Sequence, residues 1–248
     1  MRLRPISAAG VRILRIYENI IHLVDYDSIA LDIQEKDQNF REKPDDLRSI
    51  YGVFVNRKAV CAGYAKATQY LMNRYGLQCT YILSDTHAWN LIKLEGEYYH
   101  LDTTWGDSSN TQIEKNYSSE VGYDCYCITT KEVEALENHK ALEELSLPTC
   151  TATACNYYHR FGLFFDRYDL DRLKSITYDA VKKGKSKITI KCSNSSVLKE
   201  WIQKSIEEHE FRDVIKYINQ KSKVKIEESY SYSYSDTKNT ISYFFTKN

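Results

Sequence analysis

AVCAGYAKATQYL, residues 59–71, is the stretch on which the reading of this chain turns. It sets one reactive side chain, Cys61, where an irregular segment becomes a helix. Ala62, Ala65, Ala67, Leu71 and Met72 are good helix formers, and Gly76 is a stop signal. Cys61 therefore falls in the first turn, where unpaired N–H groups and the positive end of the helix dipole favour an anion such as a thiolate. Gly63 lets a substrate approach the backbone closely. The competing reading is a small apolar core side chain, the usual fate of a free cysteine. A base within reach of the thiol separates the two.

HAWNLIKLEGEYYHLDTTW, residues 87–105, supplies that base. It reads as a hairpin turning at Glu95-Gly96. Leu94 then faces Glu97, His100 faces Leu91, and Asp102 sits opposite Trp89. His87 lies one diagonal step from Asp102 on the same face, about 7 to 8 Å between backbones, a gap that the two side chains bridge. A one-residue slip would throw Asp102 to the other face. The opposite face gathers Ala88, Ile92, Leu94, Tyr99 and Leu101, an apolar set that supports this register. A buried carboxylate beside an imidazole fixes its tautomer and stabilises the imidazolium formed when the thiol loses its proton. His100 shares the face of Asp102 and is the rival base, with a structural role as its expected one. His22, His139, His159 and His209 lack an acidic partner at strand spacing. Cys125, Cys127, Cys150, Cys155 and His159 form a weak metal candidate, because repeated C-x2-C knuckles are missing.

The chain has 248 residues, enough for one sizeable core or two modest ones, and 34 basic residues balance 34 acidic ones. That balance argues against an electrostatic nucleic-acid or membrane binder. The N-terminal segment is broken by Arg12, Arg15, Glu18 and Asn19, so it reads as an amphipathic helix with Val11, Leu14, Ile16 or Tyr17, Ile20, Ile21 and Val24 inward, and not as a signal peptide or membrane span. Seven cysteines without repeated spacing argue against a disulfide framework and for a reducing, cytoplasmic setting if the chain is complete; a fragment of a longer precursor would fit secretion or the cell surface instead.

Residues 25–48 read as a polar surface segment with a short helical piece near Asp45, 77–84 as a strand, 106–130 as a surface loop, and 131–145 as a helix with a thin apolar face. Further on come a helix closed by Gly184, the strand KITIKC, one or two helices, and two strands around a turn at 236–239. The Tyr/Ser alternation at 229–235 reads as a half-buried strand with its tyrosines on one face. Two parts result, 1–167 and 168–248, the second a small α+β subdomain.

VCAGYAKA (60–67), HAWNLIKLEGEYYHLDTTWGD (87–107) and the order Cys, His, Asp resemble the core of the transglutaminase-like superfamily, whose bacterial members are similar to papain in mechanism. RIYENIIHLVDYD is similar to the helix preceding that core, and YYHRFGLFF (157–165) to a strand following it. The resemblance implies an α+β, papain-like fold in which the Cys61 helix packs on an antiparallel sheet. It also implies Cys61 as nucleophile, His87 as general base and acid, and Asp102 as its orienting carboxylate, with Trp89, Asn90, Thr104 and Trp105 packed about them. The oxyanion donors it suggests are the Cys61 N–H and, ten residues earlier, Tyr51, for which a core tyrosine is the alternative. The implied chemistry is acyl transfer through a thioester, on a protein or peptide substrate and without a cofactor. Hydrolysis is favoured over transamidation, because neither extra β-sandwich domains nor a calcium loop is evident. A catalytically idle scaffold and a surface adhesin module are the alternatives from other classes.

Overall fold

The computed structural model describes residues 5–28, 46–107 and 121–247, which divide into two compact α+β units, 1–160 and 161–248. Most of the expected surface segment at 25–48 and of the expected loop at 106–130 lies outside the described residues.

In the first unit, α1 (Ala8–Leu23) starts at Ser7, whose hydroxyl accepts the Gly10 N–H at 3.1 Å. Its buried stripe runs through Ile13, Ile16, Tyr17, Ile20 and Ile21. Val11 and Leu14, expected to point inward, are only half-buried at its margins. The two-residue strands β1 (Asp25–Tyr26) and β2 (Lys58–Ala59) pair in parallel and lead into α2 (Cys61–Arg74). This helix ends as its sequence dictates. Gly76 adopts φ +69°, its N–H donates to Asn73 O, and the Leu77 N–H donates to Met72 O. That pair of bonds makes a Schellman cap, which favours glycine at the left-handed position.

The sheet is antiparallel, in the order β3 (Cys79–Leu83), β4 (Ala88–Leu94), β5 (Glu97–Leu101). Positive φ at both Glu95 and Gly96 makes the two-residue turn that suits the twist of a hairpin. The pairing is Leu94 with Glu97, Ile92 with Tyr99, and Leu91 with His100, the register expected from the hydrophobic pattern. Helix α2 packs on β3 and β4, and α1 packs on α2. Ala62, Ala65 and Ala88 form the close contact between Cys helix and sheet. Gly63 is needed there, since a Cβ would meet Leu47 O at 2.5 Å and the Ala59 Cβ at 2.8 Å.

The helix expected over 131–145 is a correction. Only α3 (Thr130–Glu134) forms, opened by a capping box between Thr129 and Glu132. Too few apolar residues line one face to hold a longer helix. The chain instead turns, with Asn138 at φ +64°, and buries His139. A single turn, α4 (Tyr157–Arg160), closes the unit.

The second unit is a four-stranded sheet ordered β6 (Phe164–Phe165), β7 (Lys187–Cys192), β9 (Thr240–Lys247), β8 (Ile226–Ser235), with α5 (Leu170–Lys182), α6 (Ser195–Ile202) and α7 (Phe211–Lys221). Its core centres on Trp201, Phe211, Ile190, Tyr243 and Phe245. The Tyr/Ser strand is the edge strand β8. Tyr230 packs on Phe211, but Tyr232 and Tyr234 are 45% and 51% exposed, so only the start of the expected half-buried face is covered. No described helix is long and apolar enough to cross a membrane.

Candidate active site

Cys61 is the first residue of α2, and Val60 before it provides no side-chain cap. The first N–H groups of the helix thus receive no side-chain acceptor from the residue that most often supplies one. Among the seven cysteines, all free, Cys61 is the one that is not buried.

His87 sits just before β4, where its backbone N–H donates to Ser84 Oγ at 2.9 Å. Its Nε2 meets Asp102 Oδ2 at 2.7 Å. Cys61 packs on the cluster of Ala62, Ala65 and Ala88, the last being the residue after His87, and its sulfur favours the protonated imidazole. With Nε2 committed to Asp102, Nδ1 is the ring nitrogen left for the thiol. Burial acts to lower the pKa of His87, but the Asp102 charge, the hydrogen bond to Asp102 and the contact with Cys61 outweigh it and push the value up to about 10.

Asp102 is 2% exposed, one residue past β5, and its carboxylate makes four hydrogen bonds. Oδ1 accepts the N–H of Thr104 at 2.7 Å and of Trp105 at 3.0 Å; Oδ2 faces His87 and, at 2.8 Å, Nε2 of His139. Burial disfavours its charge, yet His87 and His139 overcome this and hold the carboxyl well below the usual carboxylate range.

The other expected residues fall into two groups. Trp89 stacks on His87 with ring centroids 6.0 Å apart, and its indole N–H donates to His100 Nδ1 at 3.0 Å. Trp105 lies edge-on to His87 at 6.3 Å. Asn90 ties the sheet to the Cys helix through Nδ2 to Ala65 O at 2.9 Å. Thr104 contributes its backbone N–H. Tyr51 stands apart: it is 51% exposed, and it enters none of the hydrogen bonds or ring contacts joining Cys61, His87 and Asp102 among the described residues. His100 turns to Trp89 and Thr130; burial and the neighbouring His139 charge lower its pKa to about 4, so it is neutral and accepts from the indole.

Three residues escaped the sequence reading. Tyr26 and Tyr81 flank the nucleophile: burial first, then the charge of Cys61, raises both phenol pKa values, that of Tyr26 to about 12. His139 is the larger omission, because it does have an acidic partner, in Asp102. Strand spacing does not reveal a partner that arrives from a loop; the thin apolar face of 131–145 was the available signal.

His87, Asp102 and His139 also form the one described group of donor atoms, all within 4.8 Å of one another, that is tight enough to weigh as a metal site. Their geometry fits a shared proton better. Zinc bonds of about 2.0–2.2 Å at tetrahedral angles place ligand atoms about 3.3–3.6 Å apart, whereas Asp102 meets the two imidazoles at 2.7 and 2.8 Å. The cysteines weighed as ligands lie elsewhere: Cys155 receives an N–H from Arg160, and Cys150 faces Pro148 O.

No family model matches the chain. The human protein named kyphoscoliosis peptidase is 30% identical over 111 residues, which covers 38% of this chain and 15% of the relative, and the mouse protein of that name gives the same figures. The chain therefore spans about 15% of the length of the curated relatives it matches. Among solved structures, one described as a TGase superposes with a TM-score of 0.30 at 16% identity, over 45% of this chain and 37% of its own. A structure of menin describing its binding site for Mixed Lineage Leukemia protein gives 0.29 at 10% identity, over 86% and 40%. These superpositions are too loose to argue from, and the local identity to the peptidases ties the chain only loosely to the transglutaminase-like group.

Proposed function

We propose that the first unit is a thiol-dependent acyl-transfer enzyme acting on peptide or glutamine amide bonds, with Cys61 as nucleophile, His87 as base and acid, and Asp102 as the orienting carboxylate. The observation that carries this reading is the 2.7 Å bond from His87 Nε2 to the buried Asp102 carboxylate, with Cys61 at the helix start packed on the cluster that includes Ala88, next to His87. Asp102 accepts from Nε2–H, so Nδ1 of His87 is the site that takes the thiol proton, and the raised pKa of the ring favours the resulting thiolate–imidazolium pair. Sulfur attacks the acyl carbon, His87 returns the proton to the departing nitrogen as the C–N bond breaks, and a thioester remains. Water, activated by the same imidazole, then cleaves the C–S bond and regenerates the thiol. The N–H of Cys61 at the helix start is suited to receive the developing oxyanion. Hydrolysis is favoured over transfer to an amine by the peptidase name of the similar human and mouse proteins.

The test is incubation with a glutamine-containing peptide library plus a fluorescent primary amine, comparing wild type with Cys61→Ala by mass spectrometry. Cleaved or deamidated peptides that need Cys61 support the hydrolase, and amine adducts would replace it with a transamidase. Products equal in both proteins refute the thiol mechanism.

A further inference from the structure

Asp102 is gripped by two imidazoles, and the acyl-transfer mechanism uses only one. His139 is buried, 1% exposed, and comes from the turn after α3. Its ring lies 4.5 Å from that of His87, 5.1 Å from Trp89 and 4.8 Å edge-on from Trp105. The turn is fastened to the segment that sets His87: Ser84 Oγ donates to Asn138 O at 2.6 Å, Thr86 Oγ1 donates to Asn138 Oδ1 at 3.0 Å, and the same Ser84 Oγ accepts the His87 N–H. Both imidazoles are thus referenced to one short loop.

The hydrogen-bond partners of His139 decide what it can do. Nδ1 faces the Glu137 carbonyl oxygen at 2.7 Å and Nε2 faces the Asp102 carboxylate at 2.8 Å. Both oxygens can only accept, so both bonds form only when each ring nitrogen carries hydrogen and the ring is a cation. The titratable groups facing it are Asp102, His87 and His100. His100 is neutral, so the local balance is a carboxylate between two imidazoles, with Cys61 beyond His87.

Resting on the acyl-transfer reading, we propose that His139 is a positioning residue of this centre, which pins the Asp102 oxygen that orients His87 and whose positive charge sets the lower end of the pH range in which Cys61 is reactive. Removing the charge while keeping the donor makes a thiolate harder to form. The His139 ring lies 4.5 Å from that of His87 and the sulfur lies beyond His87, so at this greater separation a unit charge screened at an effective dielectric of about 40–80 corresponds to a shift on the order of half a pH unit at Cys61. Removing the donor as well frees the carboxylate to rotate, so His87 loses its fixed orientation.

The experiment is the pH profile of Cys61 alkylation by limiting iodoacetamide, read by mass spectrometry, in wild type, His87→Ala, His139→Gln and His139→Leu. Glutamine can present an N–H near the position of histidine Nε2 without charge. The expected result is an acid limb moved up by about half a unit in His139→Gln with its plateau within about threefold of wild type, and a plateau at least about tenfold lower in His139→Leu. Long-range 1H–15N spectra of wild type should show hydrogen on both ring nitrogens of His139. If wild type and His87→Ala react alike, the acyl-transfer reading itself fails. If His87 matters but the His139→Gln profile superposes on wild type, His139 is merely structural and this inference alone is overturned; should His139→Leu not fold, the glutamine profile still decides.

Discussion

Asp102→Asn isolates the tautomer from the geometry, because asparagine fills the same space with one oxygen and one NH2 group. In one orientation its oxygen replaces Oδ1 and keeps the N–H bonds from Thr104 and Trp105, now 2.7 and 3.0 Å long. The NH2 group then faces His87 and His139 and donates one hydrogen to each Nε2. Every bond is satisfied, but His87 is left with hydrogen on Nδ1, pointing at Cys61, and cannot take its proton. The productive orientation aims the oxygen at the imidazoles and sets NH2 against two backbone N–H groups. Leaving two such donors unpaired costs about 1–3 kcal/mol each. At 1.36 kcal/mol per decade, the productive state is scarcer by about 30-fold to about 10⁴-fold, and the rate falls with it. The assay is turnover of an activated ester or of the peptide library, with folding checked by circular dichroism. A folded Asp102→Asn protein that loses less than about tenfold would refute the tautomer argument.

His100→Gln should cost stability more than rate, since the ring nitrogens of His100 bond Trp89 and Thr130 rather than Asp102; denaturant unfolding and turnover measured on one preparation check this, and a folded but inactive protein would make His100 the base. Stability should also depend on pH in two windows. The pKa of His87 is raised from 6.5 to about 10, so the stabilisation from its protonated form is complete below about 6.5 and is lost as pH rises through about 10. That of Asp102 is depressed below 3.8, so its contribution is present above 3.8 and is lost as pH falls through the lower folded value. Unfolding curves of wild type and His87→Ala should converge between pH 7 and 10; parallel curves would show that the imidazolium is not stabilised by its neighbours.

The local elements were legible where one physical rule decided the outcome. Two left-handed residues at Glu95-Gly96 force a two-residue hairpin, and the apolar alternation around it permits one register, which carries Asp102 to His87. Gly76 ends the Cys helix for an equally local reason. Pattern failed where tertiary contact decides. The charge spacing of 131–145 is helical, but a longer helix would carry His139 away from the buried carboxylate, and the chain follows the hydrogen bonds instead. Tyr232 and Tyr234 alternate as an inward face should, yet they sit on the edge strand, where exposure depends on how far the helices reach. Tyr26 beside Cys61 was equally out of sight, since it is brought there by a two-residue parallel bridge that no periodicity announces.

The most direct test of the central claim is trapping of the acyl-enzyme. Wild type, Cys61→Ala and His87→Ala are each mixed with p-nitrophenyl acetate, and the first turnover is followed by nitrophenolate release and by mass spectrometry of the quenched protein. The account predicts a burst of about one equivalent in wild type and a single acetyl group on Cys61. It also predicts no burst without Cys61, and acylation slowed by at least about 10² without His87. An acetyl group on any other residue, or equal acylation of Cys61 with and without His87, would contradict it.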